Sequence, residues 1–160
     1  VTEYTVRAIG ERDRPAVRRL LVHSWGTSIV VAHGTTFHPG NLPGLLAERR
    51  GQLAGALTYA VEPDFVEVVT IDAEQRRAGI GSALIDAVIG VARQLGRKRV
   101  VLTTTNDNLD ALRFYQRRGF RLSTLRPGAV THARRIKPEI PDIGDYGIPV
   151  NDELDLERAV

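Results

Sequence analysis

The amino-acid sequence predicts a mixed α/β fold: a central, mostly antiparallel sheet with one parallel strand pair. Three observations carry this. Three strand-like segments succeed one another between residues 44 and 71, separated by turn residues. Residues 80–95 then repeat apolar side chains at helical spacing, and residues 99–104 (RVVLTT) return as a strand. Strand, helix, strand in that order is a βαβ unit, whose two strands run parallel. The chain has 160 residues, the size of one domain spanning 1–160 that buries roughly two-thirds of its unfolded surface.

Residues 4–9 (YTVRAI) alternate as a strand does, and Asp13 with Pro15 opens a helix running to about His23. In residues 24–42 (SWGTSIVVAHGTTFHPGNL) Gly, Thr, His and Pro interrupt a short apolar run, so a loop with one short element at most is expected. Residues 44–48 (GLLAE) and 53–61 (LAGALTYAV) flank RRGQ, a hairpin turn, and residues 65–71 (FVEVVTI) follow as a buried strand. In the next helix Ile80, Ala83, Leu84, Ala87, Val88, Val91, Ala92 and Leu95 form the apolar stripe, and Gly96 ends it. NDNLDALRFYQRRGF is a second short helix closed by Gly119, and residues 120–125 (FRLSTL) follow it. Residues 129–137 (AVTHARRIK) suit one short helix, 138–150 are rich in Pro and Gly, and 153–157 (ELDLE) alternate as a final strand. The stretch between the last two strands reads as an insertion.

Composition narrows the function. With 42% hydrophobic and 26% charged residues, and no apolar run approaching the ~18 that a membrane span needs, a soluble protein without membrane contact is expected. The start, VTEYTVRAIGERDRP, lacks the charged-then-apolar layout of a secretory leader. With no cysteine there are no disulfides, thiolate metal sites or cysteine nucleophiles, and a cytoplasmic setting fits. Net charge is +3, but the arginines are spread among 19 acidic residues, which argues against a nucleic-acid partner. The four histidines, at 23, 33, 38 and 132, show no metal-ligand spacing, so no metal is expected.

QRRAGIGSAL, residues 75–84, concentrates the chemistry. The first N–H groups of a helix lack intrahelical acceptors and carry partial positive charge, so an anion is favoured there. Glycines at 79 and 81 keep side chains off those amides and allow positive φ, while Arg76 and Arg77 add full charge. A phosphate or pyrophosphate suits the loop; a bare tight turn is the plainer alternative. The Walker pattern is absent, because no Gly-Lys pair occurs. The dinucleotide fingerprint fails where Leu84 replaces its third glycine.

Arg76-Arg77-Ala78-Gly79-Ile80-Gly81 resembles motif A of the GNAT superfamily of acyl-CoA-dependent N-acyltransferases, at the usual distance from the strand ending at Ile71. Asn108-x-x-Ala111-x-x-Phe114-Tyr115-x-x-x-Gly119-Phe120 resembles motif B at the expected separation. The element order follows the family over most of the chain, least so in residues 24–42 and 127–151, and Ala73 stands where motif A usually has Pro. The resemblance implies a parallel pair that splays to admit coenzyme A, and an N-acetyltransferase moving acetyl from acetyl-CoA directly to an amine. The loop from Arg76 to Ser82, including Ala78, Gly79 and Gly81, would bind the pyrophosphate. Backbone near Ile71 would bind the pantetheine arm, with Asn108 and Tyr115 towards the thioester. The acceptor would be a small-molecule or protein amine, and a homodimer is the family's commonest state. The alternative is a non-catalytic module that binds an acyl-CoA or a partner.

Direct transfer needs a base for the amine and an acid for the leaving thiolate. Tyr115 is the acid candidate, since a phenol with an ordinary pKa near ~10 keeps its proton at neutrality; its plainer reading is a core aromatic beside Phe114. Glu67, the one charged residue in FVEVVTI, is the base candidate, sharing a face with Phe65, Val69 and Ile71 if period-two alternation holds; its plainer reading is a carboxylate near the strand's solvated start. Trp25 would either line the acceptor side or anchor in the core. Arg134, Arg135 and Lys137 would either attract an anionic acceptor or form a solvated helix face.

Overall fold

A computed structural model describes residues 4–75 and 78–160. In chain order its strands are β1 (Thr5–Ala8), β2 (Val30–Ala32), β3 (Thr35–Phe37), β4 (Gly44–Arg49), β5 (Gln52–Val61), β6 (Phe65–Ala73), β7 (Arg99–Thr105), β8 (Arg121–Arg126) and β9 (Glu153–Ala159). The helices are α1 (Arg14–Trp25), α2 (Ile80–Gln94), α3 (Leu109–Arg117) and α4 (Ala129–Ile136). Of the described residues, 4–30, 38–75, 78–100 and 160 form one packing unit, and 31–37 and 101–159 form a second.

In the first unit the strand order is β1-β4-β5-β6, with each of these pairs antiparallel. The RRGQ turn is present: Arg50 and Gly51 have φ of 52° and 73°, the left-handed pair whose twist matches a two-residue hairpin. Two irregularities were not legible beforehand. β5 carries Ala54 as an extra residue against β4, and β6 carries Val69 as an extra residue against β5. One face of this sheet packs under α1 through Val17, Leu21, Leu46 and Ala56. The buried side of α2 is Ile80, Leu84, Ile85, Val88, Ile89 and Ala92, so the stripe lies about one residue round from the expected one and Leu95 is exposed. The reason is that α2 is apolar on most of its circumference, which leaves periodicity a weak guide to its inner face. Gly96 does end the helix, at φ 68°, where Arg97 N–H donates to Ala92 and Gly96 N–H to Arg93.

In the second unit the order is β7-β9-β8, with β8 and β9 antiparallel. The expected loop of residues 24–42 instead contains the small hairpin β2–β3, turning through His33 and Gly34 at φ of 41° and 78°. Arms of three residues are too short to show alternation. The backbone N–H of His33 donates to the Glu153 carboxylate, which ties this hairpin to β9. The insertion is also ordered by specific bonds. Asn106 accepts from the N–H groups of Asn151 and Asp152 and donates to the Pro149 carbonyl, while Asp107 accepts from Asp145 N–H. Arg134 donates to the carbonyls of Ile140, Pro141 and Val150, which makes it a brace for the insertion and leaves the anionic-acceptor role unsupported for it.

Arg126 grips Asp155 with two bonds of 2.6 and 2.7 Å, and Thr103 donates to the same carboxylate at 2.7 Å. Burial works to raise the Asp155 pKa, but the Arg126 and Thr103 bonds and the Arg126 charge outweigh it, so the net displacement is downward. A carboxyl lowered in the folded state contributes stability above its unfolded pKa of ~3.9, and that stability is lost as pH falls through the folded value. Urea melts between about pH 6 and about pH 3 are therefore expected to show a smaller loss in Arg126→Ala than in the parent. Equal losses would mean that this carboxylate is unlinked to folding.

Candidate active site

β6 supplies the first chemical group. Residues directly opposed in a register share a sheet face. Glu67 lies opposite Ala60 and Thr70 opposite Thr58, so the extra Val69 puts Glu67 on one face with Thr58, Thr70 and Asp72. That is the face carrying Ala56, under α1. Ile71 and Ala73 lie on the other face, where Ile80 of α2 packs against Gly55. The expectation that Glu67 shares a face with Val69 and Ile71 is thus corrected: the bulge breaks period-two alternation between them. Nor is Glu67 at a solvated strand start. The residue is 6% exposed.

Thr58 and Thr70, both buried, join their hydroxyls at 2.6 Å across the strands at this bulge. At the far end of β6, Trp25 Nε1 donates to both oxygens of Asp72 at 3.0 and 2.9 Å. Burial raises the Asp72 pKa, and bonds from Trp25 and Ser24 only partly offset it. Trp25 is accordingly an anchored indole, yet 39% of it stays exposed. The sequence offered one signal for Thr58 and Thr70, two hydroxyls in otherwise apolar strands, and none for the Trp25–Asp72 bond.

From β6 the chain turns back into α2. Glu74 N–H donates to the Ala54 carbonyl, which starts the loop on the sheet. Arg76 and Arg77 lie outside the described residues. Gly79 is the N-cap of α2 at φ 83°, and Ala83 N–H donating to Gly79 makes the first helical bond. Among the described residues, a Cβ on Gly79 would meet nothing within 4 Å, so they leave the mouth of the helix open on that side. Ala78, Gly81 and Ser82 are half-buried around it. The first N–H groups of a 15-residue helix, a left-handed glycine and free space together suit an anionic oxygen cluster. Gly55 also belongs to this construction and was not singled out from the sequence, although a glycine inside a strand signals close approach. Its missing side chain lets Ile80 Cγ2 and the Asp72 carbonyl come to 2.6 and 2.7 Å of where a Cβ would stand.

The remaining candidates sit on α3 in the second unit. Asn108 is its N-cap: Oδ1 accepts from Ala111 N–H at 3.3 Å and Nδ2 donates to Thr104 Oγ1 at 3.2 Å. Tyr115 is buried between Phe114 and Phe120, edge to face with both at 5.1 and 5.6 Å. Its carbonyl also accepts from Phe120 N–H, where Gly119 at φ 85° closes the helix. Both residues therefore have structural work, and the core-aromatic reading of Tyr115 describes its ring. Among the described residues no three acidic or histidine side chains gather to hold a metal.

The chain is similar to known proteins in sequence and in fold. A model of the acetyltransferase (GNAT) family matches residues 13–120, from the start of α1 to the residue after Gly119. The uncharacterized protein YxbD of Bacillus subtilis (strain 168) is 39% identical over 137 residues, covering 85% of this chain and 86% of that protein. A Bacillus subtilis acetyltransferase solved in complex with CoA is 20% identical and superimposes with a TM-score of 0.73 over 99% of each chain. A GNAT family acetyltransferase from Elizabethkingia anophelis with acetyl-CoA bound is 21% identical, with a TM-score of 0.68 over 98% of each chain. The fold is therefore the one the sequence predicted, a mixed, mostly antiparallel sheet with one parallel strand pair. With the family match spanning both motifs, the chain belongs to the GNAT family of acetyltransferases.

Proposed function

We propose that the chain transfers an acetyl group from acetyl-CoA directly to an amine, with Glu67 as general base and Tyr115 as general acid. The open, left-handed Gly79 cap on α2, directly after the strand that buries Glu67, is the observation that carries the reading. The N–H groups from Ala78 to Ser82 would hold the pyrophosphate, with Arg76 and Arg77 adding charge, and backbone at Ile71 would take the pantetheine arm. Asn108 would support that arm through the backbone it caps. Acetyl-CoA supplies the activated acyl group as cosubstrate, and no covalent enzyme intermediate is needed. Glu67 takes the proton of the acceptor ammonium so that a neutral amine can attack, and Tyr115 holds a phenolic proton for the departing thiolate. The acceptor is a small-molecule or protein amine, and the reaction is placed in the cytoplasm.

Two relatives in structure were solved with CoA or acetyl-CoA, which supports the cosubstrate. The buried ring of Tyr115 favours a rival reading, a module that binds the coenzyme without turnover. Calorimetric titration with acetyl-CoA, with ATP and NAD as controls, tests the binding. Saturable binding of acetyl-CoA alone is expected, lost in Gly79→Val, where a branched residue at positive φ costs roughly 1–2 kcal/mol and fills the open side. In an amine-acceptor screen Tyr115→Phe is expected to lower the rate by about 10²-fold at nearly unchanged coenzyme affinity. Binding without turnover in the parent would favour the rival; no binding in folded protein would sink both.

A further inference from the structure

Trp25 is the last residue of α1 and the chain's only tryptophan, and its indole is held by one edge. Nε1 donates to both oxygens of Asp72, at 3.0 and 2.9 Å, and the Ser24 side chain bonds to the same carboxylate. An indole has a single polar atom, and here that atom is turned towards Asp72. The part of the side chain that meets solvent, on a residue 39% exposed, is therefore ring carbon. Each carboxylate oxygen carries two lone pairs, so Asp72 keeps capacity for a further donor. Among the described residues no arginine or lysine pairs with it, although the chain has 22 of them.

The electrostatics of this corner favour a positive ligand. Donation to a carboxylate polarises the indole and deepens the negative potential over its faces, where cations bind. The end of α1 adds the negative pole of a helix dipole, and neither lysine nor arginine stands in its last turn. Burial raises the Asp72 pKa, and an arriving cation would restore the stabilisation of the carboxylate that burial removes.

We infer that Trp25 and Asp72 seat a second positive charge of the acceptor, one that stays charged while another nitrogen is acetylated. The register supplies the spacing. Glu67 lies opposite Ala60 and Asp72 opposite Ala56, four steps along β5, which is about 13 Å on one face. One nitrogen cannot serve both carboxylates, and the reacting one must be neutral when it attacks. An ammonium at Asp72 is therefore not the one that Glu67 deprotonates. Thr58 and Thr70 are buried between the two positions, so the connecting chain arches over them instead of lying along the strand. Short diamines cannot reach, and long flexible ones can. The spacing rests on the role proposed above for Glu67; the cation seat does not.

Because Trp25 is the only tryptophan, its fluorescence reports on the seat without coenzyme or turnover. Tetramethylammonium is expected to change the emission saturably in the millimolar range. Neutral tert-butanol of similar shape, and sodium chloride at equal ionic strength, should not. Affinity should fall about tenfold in Asp72→Asn, which keeps an acceptor for Nε1. No response to tetramethylammonium in the parent, or an equal response to tert-butanol, overturns the seat whatever the variant does. In acetylation assays the parent should prefer diaminooctane to octylamine by about tenfold in kcat/KM, and the preference should vanish in Asp72→Asn. Diaminopropane should show no such advantage over propylamine. Equal kcat/KM for diaminooctane and octylamine overturns the two-charge acceptor. Absence of turnover with every amine overturns the proposed reaction, and the spacing with it, while the fluorescence titration still decides the seat.

Discussion

Glu67→Gln is expected to lower kcat/KM for amine acetylation by about 10²–10⁴-fold while leaving acetyl-CoA affinity within about twofold. The split follows from where the residue sits. Glu67 lies on the α1 face of β6, opposite Ala60, whereas the loop and α2 N-terminus that would hold the coenzyme follow from Ile71 and Ala73 on the other face. Gln keeps the shape and most of the hydrogen-bonding capacity but cannot take a proton from an ammonium. A circular-dichroism melt of the variant that matches the parent's then separates lost activity from unfolding. A second readout is the pH profile. If Glu67 is the base, the acidic limb of the parent's kcat/KM profile disappears in the variant, and what activity remains rises only as the free amine itself deprotonates. A variant with the parent's rate and the parent's acidic limb would remove Glu67 from the mechanism and leave its burial a matter of packing.

That prediction also marks how far the sequence could be followed. Gly79, the RRGQ turn and the Gly96 and Gly119 helix ends were legible because each has a positive φ that few residues adopt, whereas Gly81 lies within α2 without one. Glu67 was legible as an anomaly, a charge in an apolar strand. Its direction was not, because a bulge is set by pairing with β5 and leaves no mark in FVEVVTI itself. The Trp25–Asp72 bond joins residues 47 apart, and no periodicity relates them. Asn108 and Tyr115 were found through motif spacing, but the sequence could not show that one caps α3 and the other locks its end against Phe120. The insertion looked irregular for a similar reason: Asn106, Asp107 and Arg134 organise it through bonds to its main chain, which any sequence of suitable length can accept.

Gly55→Ala should produce the second large effect, although Gly55 carries no chemistry at all. An added Cβ would stand 2.6 Å from Ile80 Cγ2 and 2.7 Å from the Asp72 carbonyl. Ile80 is the first residue of α2 after the Gly79 cap, and Asp72 is the backbone of β6 just before the loop. One methyl group therefore presses on both ends of the segment proposed to hold the pyrophosphate. The side chain has some freedom to turn away, but the carbonyl belongs to a paired strand and has little. Overpacking of this kind costs typically 1–3 kcal/mol, or roughly 3–10 °C in Tm for a chain of this size. Acetyl-CoA affinity should fall about tenfold, because helix-terminal N–H groups shifted by a fraction of an ångström lose their aim at a fixed anion. Adding Ile80→Ala relieves the first contact and leaves the second, so partial recovery is expected. Full recovery would place the whole effect in the side chain. Unchanged melting and unchanged affinity in Gly55→Ala would show that the seat of α2 on β5 does not set the geometry of the loop, and that Gly79 alone governs the site.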